Sequence, residues 1–440
     1  MALGASTAPA LAPDDLLVAS GDVTATSAMI WLRGVKPGTA AVEIEPAAAE
    51  PVVRRIALSI SAADDLTAKT LVTDLTPATR YRYRVSQDGS SAGGEFVTAP
   101  EAGELARVRF LWSGDLGGGG FCRPLNGGYA IFPAMRRHAA DFFLFVGDTA
   151  YTDVLCDKPD TAPGANFRAV TLPQFRARHL YNRRDAGLQA LLRELSVYAI
   201  WDDHEVRNDF AGTTQPLMPI GRQAFLDYWP IAPPTEEPGR LYRRFRWGRL
   251  LEVFILDTRQ YRTDNSVADG PGKTMLGSAQ RRWLVDGVTA STATWKVVVS
   301  SVPLALPTGR PERRDSWSSA NIFGFPQEGA GFATERDAIL RAFRAVNVRN
   351  LIFVAADVHH AELIRHHPHP EWSFHEFIAG PLSATTGIPR PLDLSLNSRS
   401  LFARGGVFNF GEVSVDAASL TVRLVDEAGT VMFTHTIGPE

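Results

Sequence analysis

The sequence predicts an α+β protein: two packed mixed sheets flanked by helices, preceded by a small β-sandwich. Three observations lead there. Residues 14 to 99 hold only short alternating segments punctuated by Gly, Asp, Ser and Pro. From about residue 107, long apolar runs alternate with amphipathic helical stretches. Towards the C-terminus the pattern returns to consecutive strands. Two domains are expected, over residues 14–99 and 105–440, joined by a linker at Pro100 to Glu104.

In the first region the strands are Ala28 to Leu32, Val52 to Leu58, Lys69 to Val72 and Arg80 to Val85. Leu75-Thr76-Pro77 leads into a strand carrying Tyr81 and Tyr83 on one face, which resembles the corner of fibronectin type III domains. No catalytic constellation falls here, so the region reads as a packing module. In the second region, helices are expected over Tyr129 to Ala140, Leu172 to Glu194, Ser278 to Ala290 and Thr334 to Val346. The closing strands are Phe374 to Ala379, Phe408 to Val415, Leu420 to Asp426 and Val431 to Thr436.

With 45% hydrophobic and 21% charged residues, the 440-residue chain has ample material for a core. A formal net charge of −3 gives no whole-molecule attraction to nucleic acid, so no specific nucleic-acid binding is expected. No stretch reaches the roughly 18 unbroken apolar residues of a spanning helix, and a monomer is expected. The first residues are Ala/Pro-rich without a basic start; read as the stub of a processed export peptide, they imply a periplasmic or secreted protein. Cys122 and Cys156 each lie just after a site segment. Two isolated thiols, a mutual disulfide pinning two loops, and metal ligation are all open readings.

Four segments carry the chemistry: Gly147-Asp148-Thr149-Ala150-Tyr151, Trp201-Asp202-Asp203-His204-Glu205 with Asn208, Asp257-Thr258-Arg259, and Asp357-Val358-His359. The runs FFLFV, VYAI, LEVFIL and LIFVAA precede them and read as strands buried on both faces. Hard oxygen and imidazole ligands at the ends of several such strands indicate a metal-centred hydrolytic site. Two cations about 3.5–4 Å apart lower the pKa of a water and neutralise phosphoryl oxygens. That chemistry needs a bridging carboxylate, further ligands and an acid for the leaving oxygen.

Asp148 is the expected bridge, with Tyr151 close enough to bring a phenolate to the same ion. Asp115 opens a loop of four glycines, Gly117 to Gly120, whose amides could approach an anion or metal. Asp203 is a ligand beside His204, the general acid whose pKa acidic neighbours raise, with direct ligation as its other role. Asn208 lies on the face of His204 if a helix starts there, offering a neutral carbonyl. Asp357 and His359 point to one face at i and i+2, and His360 points away. Arg123, and one of Arg259 and Arg262, are candidate phosphate contacts; a structural ion pair with Asp257 is the plainer role for the latter two. His366, His367, His369 and His375, with Pro368 and Pro370 among them, read as a solvated irregular loop.

Together the blocks GDTAY, WDDHEVRND, DTRQYR, MLGSAQRRWL and DVH, with LLVASGDVTATSAMIWLR at residues 16 to 33, resemble the alkaline phosphatase D family of metallophosphoesterases over nearly the whole chain. GDxxY is also similar to the iron-tyrosinate block of purple acid phosphatases. The resemblance implies a four-layer α/β/β/α sandwich behind a fibronectin- or immunoglobulin-like domain. It also implies hydrolysis of small phosphate monoesters or diesters by a metal-activated hydroxide at a di- or multinuclear site. Fe(III) with Ca²⁺ or another divalent ion is the implied metal set. Many members carry a Cys after the first strand where this chain has Ser113-Gly114-Asp115. A harder oxygen there suits Mn²⁺, Mg²⁺ or Ca²⁺ as well, with Zn²⁺ as a further candidate. A phospholipase-D-type diesterase and a catalytically silent phospho-ligand or glycan binder are the alternatives.

Overall fold

The computed structural model describes residues 15–48 and 53–440; the N-terminal Ala/Pro-rich stretch and the expected strand start at Val52 lie outside them. The N-terminal module holds β1 (Leu17–Gly21), β2 (Ala28–Arg33), β3 (Gly38–Pro46), β4 (Arg54–Ile60), β5 (Thr67–Val72), β6 (Arg80–Gln87) and β7 (Ser90–Val97). Then follow β8 (Val108–Ser113), α1 (Ile131–Met135), β9 (Phe142–Val146), α2 (Leu172–Arg183), α3 (Ala186–Glu194), β10 (Ser196–Ile200), α4 (Met218–Tyr228), β11 (Arg243–Trp247) and β12 (Leu251–Ile255). Next come α5 (Gly277–Ala290), β13 (Trp295–Val299), the short β14 (Gly309–Arg310) and β15 (Arg313–Arg314), α6 (Ala333–Ala345) and β16 (Leu351–Ala355). The chain closes with β17 (Ala361–His369), β18 (Trp372–Ile378), β19 (Arg399–Arg404), β20 (Asn409–Val415), β21 (Leu420–Asp426) and β22 (Val431–Ile437).

Two mixed sheets form the body. One runs β22-β21-β20-β8-β9-β10-β1-β2-β5 and the other β11-β12-β13-β16-β18-β17-β19. The central strands are parallel in each, β8-β9-β10 and β12-β13-β16-β18, so their apolar runs are buried on both faces. Strand periodicity decides the layers. Val253, Ile255, Val297, Val299 and Val354 point inward to pack with Phe110, Phe142 and Leu144 of the facing sheet. Phe254, Val298 and Phe353 point outward to Leu284, Val288, Ile339 and Phe343 of α5 and α6. Phe145 meets Trp229, just after α4, on the far side of the other sheet. The result is four layers, helix on sheet on sheet on helix.

In the module, Arg80, Arg82 and Arg84 are exposed while Tyr81, Tyr83 and Val85 are buried. The Tyr81 hydroxyl accepts a hydrogen bond from the Thr76 backbone at 2.8 Å, closing the corner. One sheet of the module is β4-β3-β6-β7; the other, β1-β2-β5, continues the body's nine-stranded sheet through a parallel pairing of β1 with β10. Gly21 makes that junction possible. A Cβ there would meet the Val197 carbonyl oxygen at 2.4 Å and Pro230 at 2.5 Å. Trp31 then donates to the Asp227 carbonyl, and Tyr198 to that of Val23.

Several local expectations need correction. The helix expected over Tyr129 to Ala140 is only α1, because the buried apolar residues end at Met135. The stretch Leu172 to Glu194 breaks into α2 and α3 where Asp185 accepts from the Leu188 amide as an N-cap. The histidine-rich stretch is not an irregular loop. β17 runs to His369 with a register shift after His366, and His366 is buried between Ser398 and Glu376.

Candidate metal centre

Parallel strands deliver their C-terminal ends to one region. β8, β9, β10 and β16 end in Asp115, Asp148, Trp201 to Glu205, and Asp357 to His359. A Cβ on Gly114 would lie 2.7 Å from that of Ala356, so the ends of β8 and β16 approach closely. Asp115, Asp148, Asp357 and His359 all have positive φ, at 63°, 49°, 68° and 58°. Left-handed backbone is costly outside glycine, and its concentration here marks a place where side-chain direction outranks local comfort.

Ligand atoms of Asp115, Asp148 and His359 lie within 4.8 Å of one another, as do those of Asp148, Asp203 and His204. Asp148 belongs to both trios. Burial raises the carboxyls of Asp115, Asp148 and Asp357 well above their ordinary values, with further contributions from neighbouring carboxylates. Burial does the same to the Tyr151 phenol. Oδ2 of Asp115 and Oδ2 of Asp357 are buried without a hydrogen-bond partner. Unpaired buried carboxylates in this number are unfavourable unless cations sit among them. The donor set therefore fits a group of metal ions.

His359 is prepared as a neutral donor. Its Nδ1 faces the Thr385 carbonyl, which can only accept, so the proton is on Nδ1 and Nε2 carries the lone pair. Nε2 lies 3.0 Å from the Tyr151 hydroxyl and 3.9 Å from Asp115. Burial lowers its pKa to about 4. His204 is prepared oppositely. Burial works against its charge, but Asp203, Asp148 and Asp153 outweigh it and raise its pKa well above the ordinary value. Cations on Asp148 and Asp203 would cancel part of that field. Asp153, whose Oδ1 is 2.7 Å from His204 Nδ1, would remain. The Tyr151 ring lies 4.1 Å from that of His204, and a Cβ on Gly118 would strike it at 2.4 Å.

The profile of the PhoD-like phosphatase family matches residues 113–420, and that of the family's N-terminal domain matches residues 6–100. The chain belongs to the PhoD-like phosphatase family. It is 25% identical over 389 residues to alkaline phosphatase D of Bacillus subtilis (strain 168), an alignment covering 79% of this chain and 64% of that protein. The chain thus spans somewhat under two thirds of that relative's length. A solved structure of PhoD shares the fold with TM-score 0.77 at 20% identity, covering 96% of this chain and 92% of that one. A purple acid phosphatase from yellow lupin (Lupinus luteus) seeds matches with TM-score 0.66 at 13% identity, covering 97% and 75%.

In this PhoD-like chain not every expected side chain faces the centre. Arg259 is fully buried, bound to Asp202 at 2.7 and 3.0 Å and to Asp315 at 2.6 Å through two nitrogens. It is therefore no phosphate contact, and its ion pairs are with Asp202 and Asp315 rather than with Asp257, whose Oδ1 accepts from Trp201 Nε1. Arg262 is likewise buried, held by the Thr258 carbonyl and Asp315. Arg123 stacks on Tyr181 at 4.7 Å. Residues 203–209 form turns rather than a helix, so Asn208 does not share a helical face with His204. Its side chain is exposed, and its backbone donates to Asp153 at 2.8 Å. Two amides of the glycine loop are not offered to an anion: those of Gly117 and Gly118 donate to the Ser383 carbonyl. Gly118 leaves room for the Tyr151 ring and Gly119 for Thr385. His360 does point away, bridging Val358 and Glu362.

Cys122 and Cys156 form a disulfide with Cα atoms 5.8 Å apart, which settles their open pairing against isolated thiols and metal ligation. Residues that the sequence did not single out are Asp153, Glu205, Asp315 and Thr385. Glu205 takes the Thr149 amide and hydroxyl at one oxygen and the Asp202 amide at the other, fastening two ligand loops together. Asp153 had a signal, two places beyond Tyr151 in the same block. Asp315 and Thr385 had none, since they arrive from distant loops.

Proposed function

We propose that this chain is a metal-dependent phosphoric ester hydrolase of the alkaline phosphatase and phosphodiesterase type. The observation that supports it most is the sharing of Asp148 between two converging donor trios, the arrangement a bridging carboxylate needs. Asp115, Tyr151 and His359 would hold one cation with Asp148. Asp203 and Asp357 would complete the rest. Fe(III) with Ca²⁺ is the set the family resemblance favours; the oxygen of Asp115 also suits Mn²⁺ or Mg²⁺, and the His359 imidazole suits Zn²⁺. Bound there, such ions would activate a water and neutralise charge on the phosphoryl oxygens.

The chain's own groups then divide the remaining work. Asp153 holds His204 by Nδ1, leaving Nε2 as the nitrogen that gives a proton to the departing oxygen. Thr385 fixes the ring of His359, and Glu205 keeps the Asp148 and Asp203 loops in register. The Cys122–Cys156 disulfide supports an exported protein. Among the described residues no helix is long and apolar enough to cross a membrane.

The test is a rate comparison of p-nitrophenyl phosphate with bis-p-nitrophenyl phosphate after chelation and reconstitution with single metals. Turnover of either ester that disappears on chelation and returns with metal supports the reading. A chain that binds no metal and turns over neither ester would be a silent binder.

A further inference from the structure

We propose that the Cys122–Cys156 disulfide is a thiol-exchange site. A small uncharged aliphatic thiol adds to Cys122 and releases Cys156, and Arg178 passes the state of the bond to the metal centre. The exchange stands on geometry around the disulfide; only the coupling rests on the metal-dependent reading above.

Three features of the fold meet at this bond. The first is access. A cavity of about 180 Å³ opens between Phe121, Tyr129 and Phe408, with Cys122 in its wall but not Cys156. Both cysteines are otherwise buried, at 3% and 6% exposure. The sulfur that a thiolate reaches from this cavity is therefore Cys122 Sγ, and Cys156 is the leaving group. The second feature is a cation beside that leaving group. Arg178 Nη1 lies 3.4 Å from Cys156 Sγ. Arg178 is buried, and no carboxylate pairs with it among the described residues. A guanidinium in contact with a departing sulfur stabilises the thiolate, and a stabilised thiolate leaves faster. The third feature is the link to the centre. Arg178 also donates to the Tyr151 carbonyl through Nη2 and to the Ala165 carbonyl through Nη1. Cys122 closes the glycine loop whose Gly118 lies against the Tyr151 ring.

In the exchange the incoming thiol gives its proton to solvent, and its sulfur bonds to Cys122 Sγ. The bond between Cys122 and Cys156 breaks, and its electron pair stays on Cys156. One disulfide replaces another, so no oxidant or reductant is consumed. Attack of the Cys156 thiolate on Cys122 is the reverse step and expels the thiol. While the bond is open, Arg178 has an anion to pair with and the glycine loop is no longer tied to residue 156. Both restraints on Tyr151 relax together.

The experiment treats folded, metal-loaded wild type, Arg178→Met, Arg178→Lys and Ala130→Phe with 2-mercaptoethanol at one pH. Free thiols are trapped early with N-ethylmaleimide, both cysteines are mapped by peptide mass spectrometry, and metal retention against a chelator is read on the same samples. Wild type should carry 2-mercaptoethanol on Cys122 and maleimide on Cys156. Arg178→Met should slow the exchange about fivefold, with part of the rate recovered in Arg178→Lys. Ala130 lines the cavity, and Ala130→Phe should slow the exchange by narrowing the approach. The adduct should hold metal on the order of tenfold more weakly, the usual cost of disturbing groups that orient a ligand. An adduct on Cys156, equal labelling of the two cysteines, or no adduct on folded wild type would overturn the exchange site. So would a rate within about twofold of wild type in either folded variant, Arg178→Met or Ala130→Phe. If Arg178→Met does not fold, the position of the adduct and Ala130→Phe decide the matter. Metal retention in the adduct equal to that of untreated protein would overturn the coupling. If untreated protein holds no metal, the metal-dependent reading fails, and the mass mapping still decides the exchange.

Discussion

At the scale of single residues the centre depends on how charge is distributed among neighbours of one type. Asp148 and Asp202 are both buried, yet Asp202 is matched by the Arg259 guanidinium and Ser301, while no arginine or lysine pairs with Asp148 among the described residues and the His204 amide donates to it at 3.1 Å. The unmatched one is the ligand candidate. Asp148→Asn should lose metal and activity together, by orders of magnitude in rate, measured by elemental analysis and turnover on the same preparation. Retained metals with near wild-type turnover would make Asp148 structural. His204→Ala should keep its metal and lose roughly 10²–10⁴ in rate, the usual worth of general acid catalysis. Asp153→Asn should lose less in the same direction, because it disturbs only the ring's orientation and charge. Both losses should be larger on alkyl than on p-nitrophenyl esters, since a poor leaving group needs the proton more. Equal losses on the two would point to positioning instead.

At the scale of elements, the closing antiparallel strands carry a titrating tie. Glu412 on β20 meets His138, beyond α1, and Arg423 on β21. Burial alone would raise its pKa, but those two partners outweigh burial and hold it below the ordinary glutamate value. A carboxyl with a depressed folded value stabilises above its unfolded value and loses that contribution as pH falls through the folded one. Glu412→Gln should therefore cost roughly 1–3 kcal/mol at neutral pH. The gap to wild type should close under acid conditions, as read by denaturant unfolding at several pH values. A gap that is the same at every pH would show that packing, not charge, holds the strands. The disulfide works differently, closing a separation of 34 residues between the loops that flank the centre.

At the scale of the molecule, the N-terminal module is a continuation of the body rather than a bead on a linker. β1 extends the sheet past β10, and Arg243 on β11 reaches back to Asp22 at 2.9 Å. Trp31 stacks on Arg183 of α2 at 3.9 Å. Module and body should thus unfold as one unit. Gly21→Val would force a side chain into the Val197 carbonyl and Pro230, costing on the order of 2 kcal/mol. Calorimetry is expected to show one transition in wild type and a lower, separate module transition in the variant. Two transitions in wild type would refute the coupling.

What the sequence determined by itself was whatever is local. Apolar runs fixed the parallel strands, and the residues that follow each run named Asp115, Asp148, Asp203 and His359 as neighbours-to-be, because strand ends in two packed sheets converge. The tyrosine alternation marked the module's sheet for the same reason of period. Tertiary structure alone decided how equivalent groups were used. Arg259 reads like a phosphate contact in sequence, but burial beside Asp202 and Asp315 turns it into a counter-ion. Thr385 carries no pattern at all, and it matters only because its carbonyl meets the His359 ring. Ion pairing and burial depend on distances between residues far apart in the chain, and no local spacing encodes those distances.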